Sequence, residues 1–169
     1  MKSIRSRQLR RAKLILNKTD LLNEISKWRK DNQTIVLTNG CFDLLHNGHL
    51  RTFLEAKKMG DLLIVGINSD RSVRALKGST RPIINETDRA ELVSGLKPVD
   101  HVIIFNETTV AQLLEDIKPN VYVKGGDYTI ETLPEQEIIN KLGIKVKFIP
   151  LVAGISTTEL VKRIQNANF

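Results

Sequence analysis

The chain has 169 residues, of which 41% are hydrophobic and 27% are charged, so it is long enough to bury a core and is not of disordered composition. No apolar run approaches the length of a membrane span, and we expect no membrane partner. A single cysteine, Cys41, cannot form an internal disulfide, which fits a reducing cytoplasm.

The net charge of +7 is concentrated at the start of the chain. Residues 1–30 carry ten Lys or Arg against two acids, whereas the remainder carries 16 against 17. A domain that binds nucleic acid usually has a positive face of its own. Because the body is nearly neutral, we do not expect a nucleic-acid partner.

The first segment, residues 1–32, is interpreted as a basic N-terminal extension that contains one helix. Thr19 or Asp20 can cap this helix, because both side chains accept hydrogen bonds from free backbone N–H groups. Its apolar stripe, expected to pack against the body, comprises Leu21, Leu22, Ile25 and Trp28.

The second segment, residues 33–169, alternates apolar runs with amphipathic ones and is predicted to be the functional domain. Strands are predicted at about 33–38, 61–68, 100–105, 120–124 and 144–149. Helices are predicted at about 47–59, 86–97, 108–117 and 134–142 and after Ser156, with Leu92, Val93 and Leu96 facing inward. This alternation predicts an α/β fold, a doubly wound five-stranded parallel sheet with helices on both faces.

The stretch richest in chemistry follows the first predicted strand and reads Thr38-Asn39-Gly40-Cys41-Phe42-Asp43-Leu44-Leu45-His46-Asn47-Gly48-His49. A helix start offers unpaired backbone N–H groups and a partial positive charge, which suit a phosphate. His46 and His49 are three residues apart and lie on one side of this start. Gly48 lacks a Cβ, so a flat ring can approach the backbone there. The alternative to a phosphate-binding site is a pair of surface histidines at a helix cap.

Other polar segments also follow strand ends, where parallel sheets bind ligands. Ser156, Thr157 and Thr158 precede the last helix, so their hydroxyl and N–H groups form either a second anion site or an ordinary N-cap. The glycines in the segment Lys124-Gly125-Gly126-Asp127 indicate close approach of the backbone to a ligand.

Three basic residues lie between the second and third predicted strands. Lys77 and Arg81 are placed on a loop. The alternative to a functional role for Lys77 is that of a solvated surface charge. Arg89 begins a helix, where the dipole disfavours a cation, so an anionic partner is expected. The candidates for that partner are Glu86, Asp88 and a substrate phosphate.

The remaining polar residues near strand ends have structural or open interpretations. Asp43 either accepts hydrogen bonds from substrate hydroxyls or fixes its loop, and Asp70 is interpreted as a helix cap. Cys41 and His101 are interpreted as structural. No cluster of Cys and His supports a zinc site.

Taken in order, the motifs T-N-G-C-F-D-L-L-H-x-G-H, V-G-I-N-S-D, L-K-G-x-x-R-P, V-K-G-G-D-Y and S-T-T extend from about residue 33 to residue 164. This set resembles the HxGH nucleotidyltransferase superfamily, which has a Rossmann-like fold. Within it, the set is similar to the stand-alone D-glycero-β-D-manno-heptose 1-phosphate adenylyltransferases.

That resemblance implies a reaction of ATP, with Mg²⁺ bound to it, and a sugar phosphate, in a cytoplasmic enzyme that could be a homodimer. Heptose 1-phosphate would give ADP-heptose and pyrophosphate for lipopolysaccharide core or related glycoconjugate synthesis. Implied catalytic residues are His46, His49 and Lys77. Implied nucleotide contacts are Asn39, Gly40, Cys41, Phe42, His46, Gly48, His49, Lys124, Gly125, Asp127 (on the ribose), Ser156, Thr157 and Thr158. Implied sugar-phosphate contacts are Asp43, Lys77, Arg81 and Arg89.

Three alternatives remain open on the sequence. Glycerol-3-phosphate cytidylyltransferases commonly have R-T-x-G-I-S-T before the last helix, but this chain has Leu151 in place of the arginine. Riboflavin-mononucleotide adenylyltransferases share the same chemistry. In a different class, the basic extension on a nucleotide-binding fold would serve a nucleotide-sensing or RNA-binding module.

Overall fold

The structure is a computed structural model that describes residues 15–126, 128–150, 152 and 154–167. Three sequence interpretations therefore lie outside the described residues: the basic residues of segment 1–14, the role of Asp127 and the departure at Leu151.

Within these residues the chain forms seven α-helices, one 3-10 turn and five strands. The helices are α1 (Lys18–Lys30), α2 (Asn47–Lys57), α3 (Asp70–Lys77), α4 (Glu86–Ser94), α5 (Ala111–Ile117), α6 (Gln136–Leu142) and α7 (Thr157–Asn166). The strands are β1 (Ile35–Gly40), β2 (Leu62–Asn68), β3 (His101–Phe105), β4 (Val121–Gly125) and β5 (Lys145–Ile149), and the 3-10 turn is Ile130–Thr132. None of these helices is long and apolar enough to cross a bilayer.

The five strands form one parallel sheet in the order β3-β2-β1-β4-β5, which confirms the predicted fold class. Chain order reverses at β1, which pairs with β2 on one side and with β4 on the other. In open sheets of this kind, a crevice forms outside the carboxyl ends of the strands at the reversal point. The fold therefore places its crevice beside Gly40 and Gly125, which end β1 and β4.

Helices cover both faces of the sheet because side chains alternate along each strand. One layer packs α1, α5 and α6 against one face through Leu21, Ile25, Trp28, Leu113, Leu114, Ile117 and Ile139. The other layer packs α2 and α4 against the opposite face through Phe53, Ala56, Ala90 and Val93.

Helix α1 belongs to the same core as the sheet. Trp28 is buried and its ring lies 4.7 Å from that of His101 on β3, in agreement with the packing expected for both residues. Arg29 donates to the carbonyl oxygens of Ile117 and Lys118 at the end of α5. The predicted cap was wrong, however, since Asn17 accepts from a backbone N–H and caps the helix.

Three further details of the sequence interpretation were wrong. The cap of α3 is Ser69, which accepts from the N–H of Ser72, and Lys77 is the last residue of this helix rather than part of a loop. Leu92 on α4 was expected to face inward but is 50% exposed. The inward positions of that helix include Arg89.

Arg89 is fully buried, with 0% of its surface exposed, and its guanidinium is engaged by the protein. It donates to the carbonyl oxygens of Ile84 and Cys41 and forms an ion pair with Asp70 at 2.8 Å. The anionic partner in the structure is Asp70 rather than Glu86 or Asp88, and contact with a substrate phosphate stays a prediction. A buried charge needs such partners, since leaving it unpaired costs several kcal/mol.

Asp43 fixes the same loop to the segment before α4. One carboxylate oxygen accepts from the backbone N–H groups of Ile83 and Ile84, and the other lies 2.6 Å from Nε of Arg81. Asp43 is buried, so of its two interpretations the structure favours the one in which it fixes the loop. Arg81 and Arg89 are thus both occupied in holding residues 41–43 in place.

We predict that Arg89→Met destabilises the protein by about 3 kcal/mol, because the apolar side chain leaves Asp70 and two carbonyl oxygens without their donor. The free energy of unfolding in urea measures this loss. Arg71→Met, an exposed arginine on the adjacent helix, serves as the matched control and should change stability by less than about 0.5 kcal/mol. Equal stabilities of the two variants would contradict the assignment.

Candidate functional site

The loop after β1 is held in one conformation by Phe42. This residue adopts a positive φ of 46°, which is unusual for a residue with a side chain. A Cβ at Gly40 would lie 3.0 Å from Cζ of Phe42, so glycine is required where the ring folds back over the strand end. The buried ring also contacts those of Phe53 and His49, with centroids 5.1 Å apart in both cases. Packing of Phe42 thereby sets the approach of the chain to α2.

His46 and His49 stack at the start of α2, with ring centroids 3.7 Å apart and an interplanar angle of 22°. His46 is the N-cap, and its Nδ1 accepts from the N–H of Gly48. A Cβ at Gly48 would lie 2.9 Å from the His46 ring. The flat ring that approaches this glycine is therefore the imidazole of His46. The sequence expectation that both histidines lie on one side of the helix start agrees with this geometry.

Both imidazoles are neutral at pH 7. Burial lowers the pKa of His46, and burial together with the neighbouring His46 lowers the pKa of His49 to about 4. A neutral imidazole offers one N–H donor and one acceptor nitrogen. Nδ1 of His49 is buried and has no hydrogen-bond partner among the described residues, which leaves one polar group of the pair unsatisfied. The pair thus offers directed hydrogen bonds rather than positive charge to any group that enters the crevice.

The end of β4 brings a cation to the other side of the crevice. Nζ of Lys124 lies 3.2 Å from the hydroxyl of Tyr122 and 3.4 Å from Oδ1 of Asn39 at the end of β1. The Tyr122 hydroxyl donates to the same Asn39 oxygen at 2.7 Å. A Cβ at Gly125 would lie 3.1 Å from the hydroxyl of Thr52, so this glycine lets β4 end directly against α2.

The start of α7 adjoins the same cleft. Ser156 is the N-cap and accepts from the N–H of Glu159, so the ordinary capping role proposed for it is present. The hydroxyl of Thr157 lies 3.4 Å from the carbonyl oxygen of Leu44, in the loop that leads to His46. A Cβ built on Gly48 would lie 3.8 Å from Cγ2 of Ile155, the residue that precedes Ser156. The chain before α7 therefore lies next to the start of α2. Helices α2 and α7 therefore present their N-terminal N–H groups side by side.

Lys77 is an exposed cation at the end of α3, within electrostatic reach of Cys41. Burial, the larger effect, raises the pKa of the Cys41 thiol, while Lys77 and Arg89 oppose the shift. The thiol is therefore protonated at neutral pH, in keeping with a structural role.

The structure thus brings together the predicted residues of β1, α2, β4 and α7, while Asp43, Arg81 and Arg89 form the support behind them. Sequence reasoning missed Tyr122 and Glu135. Tyr122 could have been found, because residues 122 and 124 of a strand point to the same face. Glu135 lies 4.0 Å from Lys124 and falls within the helix predicted at 134–142, but its partner on β4 could not be inferred from local spacing.

The site combines neutral donors, helix N-termini and lysines at one edge of the sheet. Such groups bind and orient anionic oxygens, and they stabilise charge that develops on a leaving group. The described residues contain no group of three or more His, Cys, Asp or Glu side chains that could hold a metal ion.

Comparisons with known proteins agree with this geometry. The chain is 45% identical over 149 residues to Bifunctional protein HldE of Koribacter versatilis, covering 88% of this chain, and 47% identical over 151 residues to that of Nitrobacter hamburgensis, covering 89%. It spans 31% of the length of each of these relatives.

Two solved structures are also similar. One is the lipopolysaccharide core biosynthesis protein from Thermoplasma volcanium, which is 36% identical with a TM-score of 0.58, over 71% of this chain and 97% of that one. The other is pantoate-beta-alanine ligase from Francisella tularensis, with a TM-score of 0.59 over 90% and 77% of the two chains, whose 18% identity indicates a shared fold alone.

The family model described as Cytidylyltransferase-like matches residues 37–163, which begin in β1 and end in α7. These are the elements that bring the stacked imidazoles, Lys124 and the Ser156 turn to one crevice. The match covers 127 of the 169 residues and includes the elements around the crevice, so the chain belongs to the cytidylyltransferase-like family.

Proposed function

We propose that this protein is an adenylyltransferase that joins ATP and D-glycero-β-D-manno-heptose 1-phosphate to give ADP-heptose and pyrophosphate. The observation that carries the proposal is the shared cleft of the stacked His46 and His49 and the start of α7. The choice of sugar is supported by the ordered motifs and by the 36% identity to a lipopolysaccharide core biosynthesis protein. The product would serve lipopolysaccharide core or related glycoconjugate synthesis.

The reaction needs little acid–base chemistry. An oxygen of the sugar phosphate attacks the α-phosphorus of ATP and forms a new P–O bond. The bond between the α-phosphorus and the oxygen bridging to the β-phosphorus breaks, and pyrophosphate leaves with the electron pair. A phosphate monoester is largely ionised at pH 7, so no strong general base is required. The enzyme must instead align two anions and stabilise the charge that moves to the leaving group.

The residues at the crevice suit these tasks. Neutral His46 and His49 donate hydrogen bonds to triphosphate oxygens and do so without the cost of a buried charge. The N–H groups at the start of α7, beside Ser156, bind the leaving pyrophosphate. Lys77, exposed on α3, bridges the two substrates and reduces their mutual repulsion. Lys124 lies at the strand end on the nucleotide side.

Asp127 and Thr158 complete the proposed nucleotide contacts, with Asp127 on the ribose. A divalent cation, Mg²⁺, would enter with the triphosphate and neutralise part of its charge, because the described residues offer no cluster that would hold the ion without the nucleotide.

A pyrophosphate-release screen tests the proposal. ATP, CTP and GTP are each paired with heptose 1-phosphate, glycerol 3-phosphate and riboflavin monophosphate. We expect rapid release for ATP with heptose 1-phosphate and little above background for the other pairs. Preference for CTP with glycerol 3-phosphate would replace the proposal with the cytidylyltransferase alternative, and release from no pair would favour a nucleotide-sensing protein.

We predict that His49→Ala lowers turnover by about two orders of magnitude or more while the fold survives, because a preorganised donor to the transferred phosphate is lost. Steady-state pyrophosphate release measures the effect. Asn47→Ala, at an exposed position in the same helix start, is the matched control and should retain wild-type turnover. Unchanged turnover in the His49 variant would remove this residue from the mechanism.

We also predict a pH-dependent contribution of His49 to stability. Its folded-state pKa of about 4 lies below the ordinary value of 6.5, so the unfolded state takes up a proton first as the pH falls. The stability of the wild type relative to His49→Gln should therefore be constant above pH 6.5. It should decrease between pH 6.5 and 4, by up to roughly 3 kcal/mol.

Urea unfolding of both proteins at a series of pH values measures this difference. Carboxylates that titrate in the same range are present in both proteins and cancel in the comparison. A difference that does not vary with pH would show that His49 is not buried in its neutral form.

A further inference from the structure

Glu135 is a buried carboxylate that the proposed reaction does not use. It directly precedes α6 and is 3% exposed. Its position at the helix start is not a capping role, because its side chain makes no cap hydrogen bond. One oxygen accepts from the N–H of Val110 at the start of α5, at a long 3.5 Å. The other oxygen has no hydrogen-bond partner among the described residues.

A buried carboxylate needs a cation or several donors, because removal of its hydration shell costs several kcal/mol. The cation that faces Glu135 is Lys124, whose Nζ lies 4.0 Å from the carboxylate. This distance is that of an ion pair rather than of a tight hydrogen bond, so the ammonium keeps donors available for other acceptors. The pair joins α6 to the end of β4 at the crevice.

The surroundings of Lys124 explain why it needs this partner. Its side chain is largely buried, with the ring of Tyr128 5.7 Å and the ring of Tyr122 5.8 Å from Nζ. Burial lowers the pKa of the Lys124 ammonium, whereas the carboxylate of Glu135 and the thiol of Cys41 oppose the shift. Of these two groups Glu135 has the larger effect on the pKa of Lys124.

We propose that Glu135 is a positioning residue that keeps the Lys124 ammonium charged and directed between the ends of β1 and β4, where it contacts the nucleotide. The inference rests on the proposed function, in which Lys124 binds the nucleotide. It adds a residue that lies 11 positions further along the chain and touches no substrate itself. Glu135 approaches Nζ of Lys124 from the start of α6, whereas Asn39 and Tyr122 approach it from β1 and β4.

The test compares Glu135→Gln with Glu137→Gln, a substitution of an exposed glutamate in the first turn of the same helix. Lysine-selective ¹³C NMR follows the titration of the Lys124 ε-methylene, assigned from the missing signal in Lys124→Gln. In Glu135→Gln we expect the pKa of Lys124 to fall by about one unit, and in Glu137→Gln to stay at the wild-type value.

Calorimetric titration with ATP provides the second measurement. We expect Glu135→Gln to bind about tenfold more weakly, in line with the loss of a charge-assisted contact, and the loss to grow with pH. Glu135→Asp keeps the charge on a shorter side chain and should recover part of the affinity. On a Lys124→Gln background, Glu135→Gln should have no further effect on ATP affinity, since the residue acts through the lysine.

An unshifted Lys124 titration in folded Glu135→Gln would overturn the inference, and so would a shifted titration with unchanged ATP affinity. Tighter ATP binding in that variant would also overturn it, because Glu135 would then merely repel the nucleotide. Pyrophosphate release by the wild-type enzyme is measured separately, so failure of the positioning role is distinguished from failure of the proposed adenylyl transfer.

Discussion

The buried guanidinium of Arg89 is the interaction on which the crevice depends. It bonds to Cys41 in the loop after β1, to Ile84 before α4 and to Asp70 at the start of α3. Three segments that are distant in sequence therefore share one cation, and Asp43 adds a second connection between two of them. A loop rich in polar groups would otherwise sample many conformations, with an entropic cost for each residue that a ligand must order. In this protein the loop after β1 is ordered when the chain folds, so a ligand does not have to order it.

The division between neutral and charged groups follows from burial. The two histidines are stacked and partly desolvated, so they remain uncharged and contribute geometry. Positive charge is supplied by the exposed Lys77 and by the largely buried Lys124, which has the Glu135 carboxylate 4.0 Å away. Directed hydrogen bonds orient an anion better than a diffuse positive field does, whereas lysines attract it from a distance. Both functions are present at one edge of the sheet.

The sequence predicted the sheet, its parallel direction and the elements that carry the crevice, because apolar runs of strand length and helical periodicity are local signals. It also predicted the paired histidines and the glycine under them, since spacing on a helix start is local as well. The pairing of Arg89 with Asp70 was not predictable, because it depends on how α3 and α4 pack. The same limit explains why Asp43 could not be assigned from sequence and why Glu135 was overlooked: their partners lie on other elements. The caps of α1 and α3 were mispredicted for a different reason. Asn17 and Ser69 each have neighbouring residues whose side chains are equally suitable caps.

Helix α7 completes the crevice but has no fully buried side chain within the residues described, in contrast to the helices on both faces of the sheet. Elements with little buried apolar surface detach at a fraction of the free energy needed for global unfolding. The N–H groups proposed to bind pyrophosphate thus belong to a helix with little buried surface, opposite a partly buried histidine pair held by ring stacking and a cap hydrogen bond. Amide hydrogen exchange in α7 should accordingly proceed by local opening, independent of the sheet. The two walls of one cleft thus differ in buried apolar surface, and in the proposed reaction the leaving anion would lie against the wall that opens more readily.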